Sequence, residues 1–182
     1  FLLILATAYL FGYDAMWISL IGQTLGAMAH FDYNDPSAYS YEQAIQVMRR
    51  LGLPLPQIEQ QFLRTVFNVI ARNQDDHVKN IAYLMDKSGQ WSLAPAYDVV
   101  YAWNPGGAWT GQHQMSINGK RDDFERADLL SLAHYADIKT AKATELIEEV
   151  KEVVSRWPEF ARQADIGPAR VAAIGKAHRL DI

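Results

Sequence analysis

The stretch from Asn73 to Asp98, NQDDHVKNIAYLMDKSGQWSLAPAYD, concentrates the side chains of this chain that are able to do chemistry. Asp75, Asp76, His77, Lys79 and Asn80 fall within six positions, directly after a strongly apolar segment. Charged groups wedged between buried elements are costly unless they pair with each other, a metal or a ligand. Phosphoryl transfer asks for such a set. A carboxylate must accept or orient the proton of the nucleophilic hydroxyl, and hard oxygen ligands must hold Mg²⁺ against the phosphates. In protein kinases the catalytic-loop Asp precedes an Asn by five residues, and a hairpin then leads to a second metal-binding Asp. Asp75 and Asn80 have that spacing, and Asp98 stands just past a hairpin signal. The competing reading is a hydrolase with Asp75, Asp76 and His77 as metal ligands. His30, His113, His134 and His178 show no ligand spacing and are expected on the surface or in the core.

Several elements must position this segment. Ser40-Tyr41-Glu42-Gln43 reads as a capping box that opens a helix over 41–51, stopped by Gly52 before Pro54 and Pro56. Ile58, Phe62, Leu63, Val66, Phe67 and Ile70 recur at helical spacing and predict a second helix over 56–72. Ile81 to Met85 and Trp91 to Leu93, separated by Asp86-Lys87-Ser88-Gly89-Gln90, predict a compact β-hairpin, with Pro95 ending its second strand. Asn34-Asp35-Pro36 is a turn signal, and a further strand is expected over 113–117 before the Asn118-Gly119 turn. Helices are then expected over 122–135, 139–156 and 168–180. The fold class is mainly α with a small β-hairpin region (α+β).

The pattern Asn-x-Asp-x-His-x-Lys-Asn over 73–80, with Ala94-Pro95-Ala96-Tyr97-Asp98 downstream and Gln23-Thr24-Leu25-Gly26 upstream, resembles the HipA family. These are bacterial serine/threonine kinases that act as toxins in toxin–antitoxin pairs. The resemblance runs over roughly residues 20–160 and implies the C-terminal lobe of a HipA-like, protein-kinase-like fold. It implies Asp75 as catalytic base and Asn80 and Asp98 as Mg²⁺ ligands, with His77, Lys79 and Tyr97 lining the phosphates of ATP. Asp76 sits at a variable position of the motif and is expected to be an exposed neighbour. A protein substrate, a HipB-like antitoxin, contact with DNA only through that partner, and a cytoplasmic location are implied in the same way.

The chain has 182 residues, with 49% hydrophobic, 21% charged and 12% aromatic, which excludes a disordered tail and predicts a large core. A net charge of -4 argues against a dedicated nucleic-acid binder. The absence of Cys rules out disulfides, thiolate zinc sites and cysteine nucleophiles. Residues 1–22 form an apolar N-terminal segment, expected to be a buried helix or strand pair rather than a membrane anchor, and 23–182 form the lobe itself, in one domain. The first residue is Phe, which predicts a trimmed or partial product. Neither G-x-G-x-x-G nor G-x-x-x-x-G-K-[ST] occurs, and Gly106, Gly107 and Gly111 are expected in a mobile loop. The expected chain is therefore a weak or dead kinase on its own; a kinase-like binding module for an antitoxin-type partner is the alternative.

Overall fold

The computed structural model describes residues 21–32 and 38–182. The expectations for residues 1–20 and for the Asn34-Asp35-Pro36 turn lie outside the described residues. The element order is β1 (Ile21–Thr24), α1 (Leu25–Ala29), α2 (Tyr41–Arg50), α3 (Leu55–Ile70), β2 (Ala82–Met85), β3 (Trp91–Leu93), α4 (Arg126–Tyr135), α5 (Thr140–Ser155), α6 (Trp157–Gln163) and α7 (Pro168–Ala177). The α+β expectation holds.

The capping box forms as its sequence dictates. Gln43 N–H donates to Ser40 Oγ at 3.3 Å, and Ser40 N–H donates to Gln43 Oε1 at 2.8 Å. Helix α3 opens on Pro54 and Pro56, where a missing N–H costs nothing, and carries its apolar face into the centre of the molecule. Phe62, Val66, Val69 and Ile70 are fully buried there, and α5 packs against them with Ile147 and Val150. Burying side chains of this size stabilises the fold by roughly 1.5–3 kcal/mol each, before conformational entropy is subtracted.

The hairpin is also local chemistry. Asp86 Oδ1 accepts from the N–H groups of Ser88 (2.8 Å) and Gln90 (3.0 Å), and Gly89 supplies the left-handed residue at φ +84°. The register pairs Tyr83 with Leu93 and Met85 with Trp91. Strand β1 pairs antiparallel with β2 on its other side, giving the order β1-β2-β3. Gln57 Oε1 accepts from Leu93 N–H at 2.7 Å and ties the hairpin to α3.

Two expectations need correction. Residues 113–117 are not a strand: only the single bridges Ser40–Ser116 and Ile117–Lys120 form. The alternation there is real, since His113, Met115 and Ile117 are buried, but the Gln114 N–H is taken by a side chain instead of a neighbouring strand. The helix expected over 122–135 begins only at Arg126, because Asp128 caps it from inside by accepting from Glu125 N–H at 2.9 Å. The helix expected over 139–156 forms as α5, and a further helix that the pattern did not announce, α6, follows it from Trp157-Pro158. Trp157 and Ile174 build a small second core between α6 and α7.

Candidate active site

Helix α3 ends at Ile70, and Arg72 turns the chain through the left-handed region at φ +60°. Its guanidinium stacks on Trp103, 4.5 Å from the ring centroid, and its Nε donates to Ala177 O at 3.0 Å. Asn73 then folds back: its Nδ2 donates to Asn68 Oδ1 at 3.0 Å and its N–H to Asn68 O at 2.9 Å. The 73–80 loop is thereby fastened to the end of α3.

The far end of the loop rests on α1. Leu25 N–H donates to Ile81 O at 2.7 Å, and Gly26 N–H to Val78 O at 3.0 Å. A Cβ at Gly26 would lie 3.2 Å from Val78 Cγ2, so the glycine lets α1 approach the loop closely. The Gln23-Thr24-Leu25-Gly26 segment is thus a floor beneath the chemically dense residues.

Within the loop the two adjacent aspartates have different surroundings. The Asp75 side chain is 44% exposed, and its Oδ1 lies 4.0 Å from His77 Nε2. Its backbone carbonyl accepts from Asn80 Nδ2 at 2.8 Å. Asp76 is buried, contrary to the expectation of an exposed neighbour. Its carboxylate lies 2.6 Å from the Tyr41 hydroxyl, 2.8 Å from His113 Nδ1 and 2.8 Å from Gln114 N–H. Three donors compensate the loss of water, which is how a carboxylate is held in an interior.

His77 Nδ1 accepts from Lys79 N–H at 3.3 Å, which aims Nε2 outward. Asn80 spends its amide nitrogen on the Asp75 carbonyl. Asn80, His77, Tyr97 and Asp98 line one small cavity, together with Arg64 of α3. Asp98 takes the left-handed conformation at φ +53°, a turn that Asp tolerates, immediately after Tyr97. The Tyr97 hydroxyl donates to Lys79 O and closes the loop onto the segment after the hairpin. Burial raises the Tyr97 phenol above its usual range and the Asp98 charge adds to this, while Arg64 opposes. Asp75 and Lys79 are not among the residues lining the cavity.

Asn80 and Asp98, which carry hard oxygen donors, both line this cavity. They fit Mg²⁺, which is normally held by one or two protein oxygens plus phosphates and water. Among the described residues there is no cluster of three or more His, Cys, Asp or Glu able to hold a metal, so the hydrolase reading has no ligand set. Arg64, Tyr41 and His113 were missed from sequence. Arg64 sits at a helical position within an apolar pattern, and nothing local marks the other two as neighbours of the loop.

A model of the HipA-like C-terminal domain matches residues 17–157. The chain belongs to this family. The HipA toxin of Shewanella oneidensis MR-1, solved with HipB and its operator DNA, has the same fold over 75% of this chain, with a TM-score of 0.61 and 18% identity. The HipA-like chain spans 33% of the length of that protein. A comparison with curated proteins finds no match. Among the described residues no helix is long and apolar enough to cross a membrane.

Proposed function

We propose that this chain is the C-terminal catalytic lobe of a HipA-like serine/threonine kinase, transferring the γ-phosphoryl of ATP to a protein hydroxyl with Mg²⁺. The observation that carries the reading is the convergence of Asn80 and Asp98 on one cavity beside Asp75. In the transfer, a bond forms between the substrate hydroxyl oxygen and the γ-phosphorus as the bond to the bridging oxygen of ADP breaks. Asp75, its side chain 44% exposed, takes the hydroxyl proton. Asn80 and Asp98 would hold Mg²⁺, which neutralises charge on the phosphate oxygens. His77 and Tyr97 border the phosphates, and Lys79, exposed beside them, adds positive charge.

A HipB-like antitoxin is the partner this reading implies, with DNA reached only through it and a cytoplasmic setting. The lack of a glycine-rich phosphate loop makes the 182 residues a poor kinase alone. Thermal melting with Mg²⁺·ATP tests the site without requiring turnover. The wild-type chain melts higher with Mg²⁺·ATP, by about 2.7 kcal/mol of added stability at one hundred times Kd, and Asp98→Asn removes the shift. No shift in wild type would leave the alternative, a kinase-like module that binds an antitoxin-type partner without catalysis.

A further inference from the structure

We propose that Asp76 is a positioning residue whose buried carboxylate clamps the 73–80 loop in the geometry that presents Asp75 and Asn80 to the nucleotide. The inference rests on the phosphoryl-transfer reading and names a part of that site which the motif does not assign.

Asp76 draws together segments that are remote in the chain. Tyr41 is the first residue of α2, while His113 and Gln114 belong to the irregular segment leading to the Asn118-Gly119 turn. Tyr41 and His113 meet at Oδ2, and the Gln114 N–H meets Oδ1, so both carboxylate oxygens are engaged. The network continues outward: Asn68 Nδ2 donates to the Tyr41 hydroxyl at 2.9 Å, and Asn73 Nδ2 donates to Asn68. It therefore leaves the loop at Asp76 and returns to it at Asn73. Burial, followed by the neighbouring Asp76 charge, raises the Tyr41 phenol well above its usual range and keeps it a proton donor. His113 presents no exposed surface, and its ring packs edge-on to Phe124 at 5.2 Å, so it cannot turn away without opening the core.

The consequence falls on the two flanking residues. Asp75 is tied by its own backbone carbonyl to Asn80, so its direction follows from where the backbone at Asp76 is pinned. A carboxylate bound by three charge-assisted donors is a stiffer pin than an apolar side chain at that position. Asp75 then points out because Asp76 is held in, and Asn80 is oriented by the Asp75 carbonyl.

The experiment combines amide hydrogen exchange with Mg²⁺·ATP titration on the 182-residue chain, in wild type, Asp76→Asn and Tyr41→Phe. Asparagine keeps an acceptor for Gln114 N–H while removing the charge, and phenylalanine removes one donor while keeping the ring, so either variant can serve if the other does not fold. The Asn80 N–H, bonded to His77 O at 2.9 Å, is the reporter, and Val150 inside α5 is the control. The clamp predicts that Asn80 exchanges roughly tenfold faster in the variants with Val150 unchanged, and that Kd for Mg²⁺·ATP rises by a similar factor. Unchanged exchange at Asn80, or equal acceleration at Val150, would reduce Asp76 to a core group and overturn the proposal. Variants that bind Mg²⁺·ATP within about twofold of a binding wild type would also overturn it. A wild type that does not bind Mg²⁺·ATP removes the phosphoryl-transfer reading itself, a failure separable from that of the clamp.

Discussion

Two concave regions flank the start of the 73–80 loop, Arg72 lining one and Asn73 the other, and they are built differently. On one side a broad cleft of about 870 Å³ lies between α5, α7 and the chain around Phe124, with Arg72, Trp103, Lys151, Lys176 and Arg179 in its walls. On the other, the cavity at Asn80 and Asp98 has a volume of about 20 Å³, room for roughly one water. The larger region carries more charge, yet most of that charge is internally settled. Arg179 and Arg72 share Asp122, Arg126 pairs with Glu148 at 2.6 Å, and Lys151 donates to the Ile182 carbonyl at 2.7 Å. In the smaller region the Asn80 amide nitrogen is spent on the Asp75 carbonyl, and Asn80 and Asp98 stand in the lining. On the proposed reading, donor chemistry rather than volume is what would suit the small cavity to a metal and phosphates. The broad cleft is a place where the fold is held together.

That contrast is breakable. The largest effect is expected in chemistry at the small cavity: in the complete protein bearing the phosphate-gripping lobe, Asp75→Ala lowers kcat by about 10²–10⁴-fold, the usual contribution of a positioned base. Measured phosphorylation of a protein substrate checks this. Substitution of Lys176 in the broad cleft leaves kcat unchanged, and comparable losses from both variants would erase the distinction.

The next effect belongs to the broad cleft and concerns stability. Burial lowers the His178 imidazole from its usual value near 6.5 to about 4, and the ring sits edge-on to Trp157 at 5.9 Å and to Tyr101 at 6.4 Å. Between pH 4 and 6.5 the unfolded chain binds the proton more tightly than the folded one. The His178 contribution is therefore complete above about pH 6.5 and is lost as pH falls toward 4, by about 3 kcal/mol in all. Urea titrations at pH 7 and pH 4.5 read this loss, and His178→Gln flattens the dependence. A wild-type stability that stays level from pH 7 to 4.5 would contradict it.

A smaller effect comes from Asp128, the cap of α4. It accepts from Asn118 Nδ2 at 3.0 Å, Lys120 Nζ at 2.8 Å and Glu125 N–H at 2.9 Å. Burial pushes its carboxyl up, but these hydrogen bonds and the Lys120 charge together bring it below the usual 3.8. The stabilisation is thus present above that value and lost as pH falls through the lower, folded one. Asp128→Ala removes about 1–3 kcal/mol at neutral pH by leaving three donors without their acceptor, which equilibrium unfolding measures. Mg²⁺·ATP affinity should not follow, because the hydrogen bonds of Asp128 reach Asn118, Lys120 and Glu125, none of which lines the small cavity.

Much of this architecture was legible in the sequence because its causes are local. Ser40 and Gln43 specify their cap within four residues, and Asp86 with Gly89 specifies the hairpin turn. The spacing from Asp75 to Asn80 also has a local cause, the hydrogen bond from the Asn80 amide to the Asp75 carbonyl. The position of Asp76 was not legible. Its burial depends on Tyr41, 35 residues earlier, and His113, 37 residues later, and no periodicity connects them. Strand β1 was hidden for a related reason: Ile21 and Gly22 end an apolar run, Gln23 and Thr24 are polar, and only pairing with β2 makes the four a strand. Residues 113–117 erred the other way, alternating like a strand while their backbone bonds went elsewhere.

The most direct test of the account substitutes Mn²⁺ for Mg²⁺ in the presence of ATP and follows paramagnetic broadening of backbone amide signals in the 182-residue chain. Asn80 and Asp98 should broaden first and together, at metal concentrations that leave Lys176 and Arg179 sharp. Broadening centred on the broad cleft, or at Asp98 without Asn80, would contradict a shared metal–triphosphate site in the small cavity.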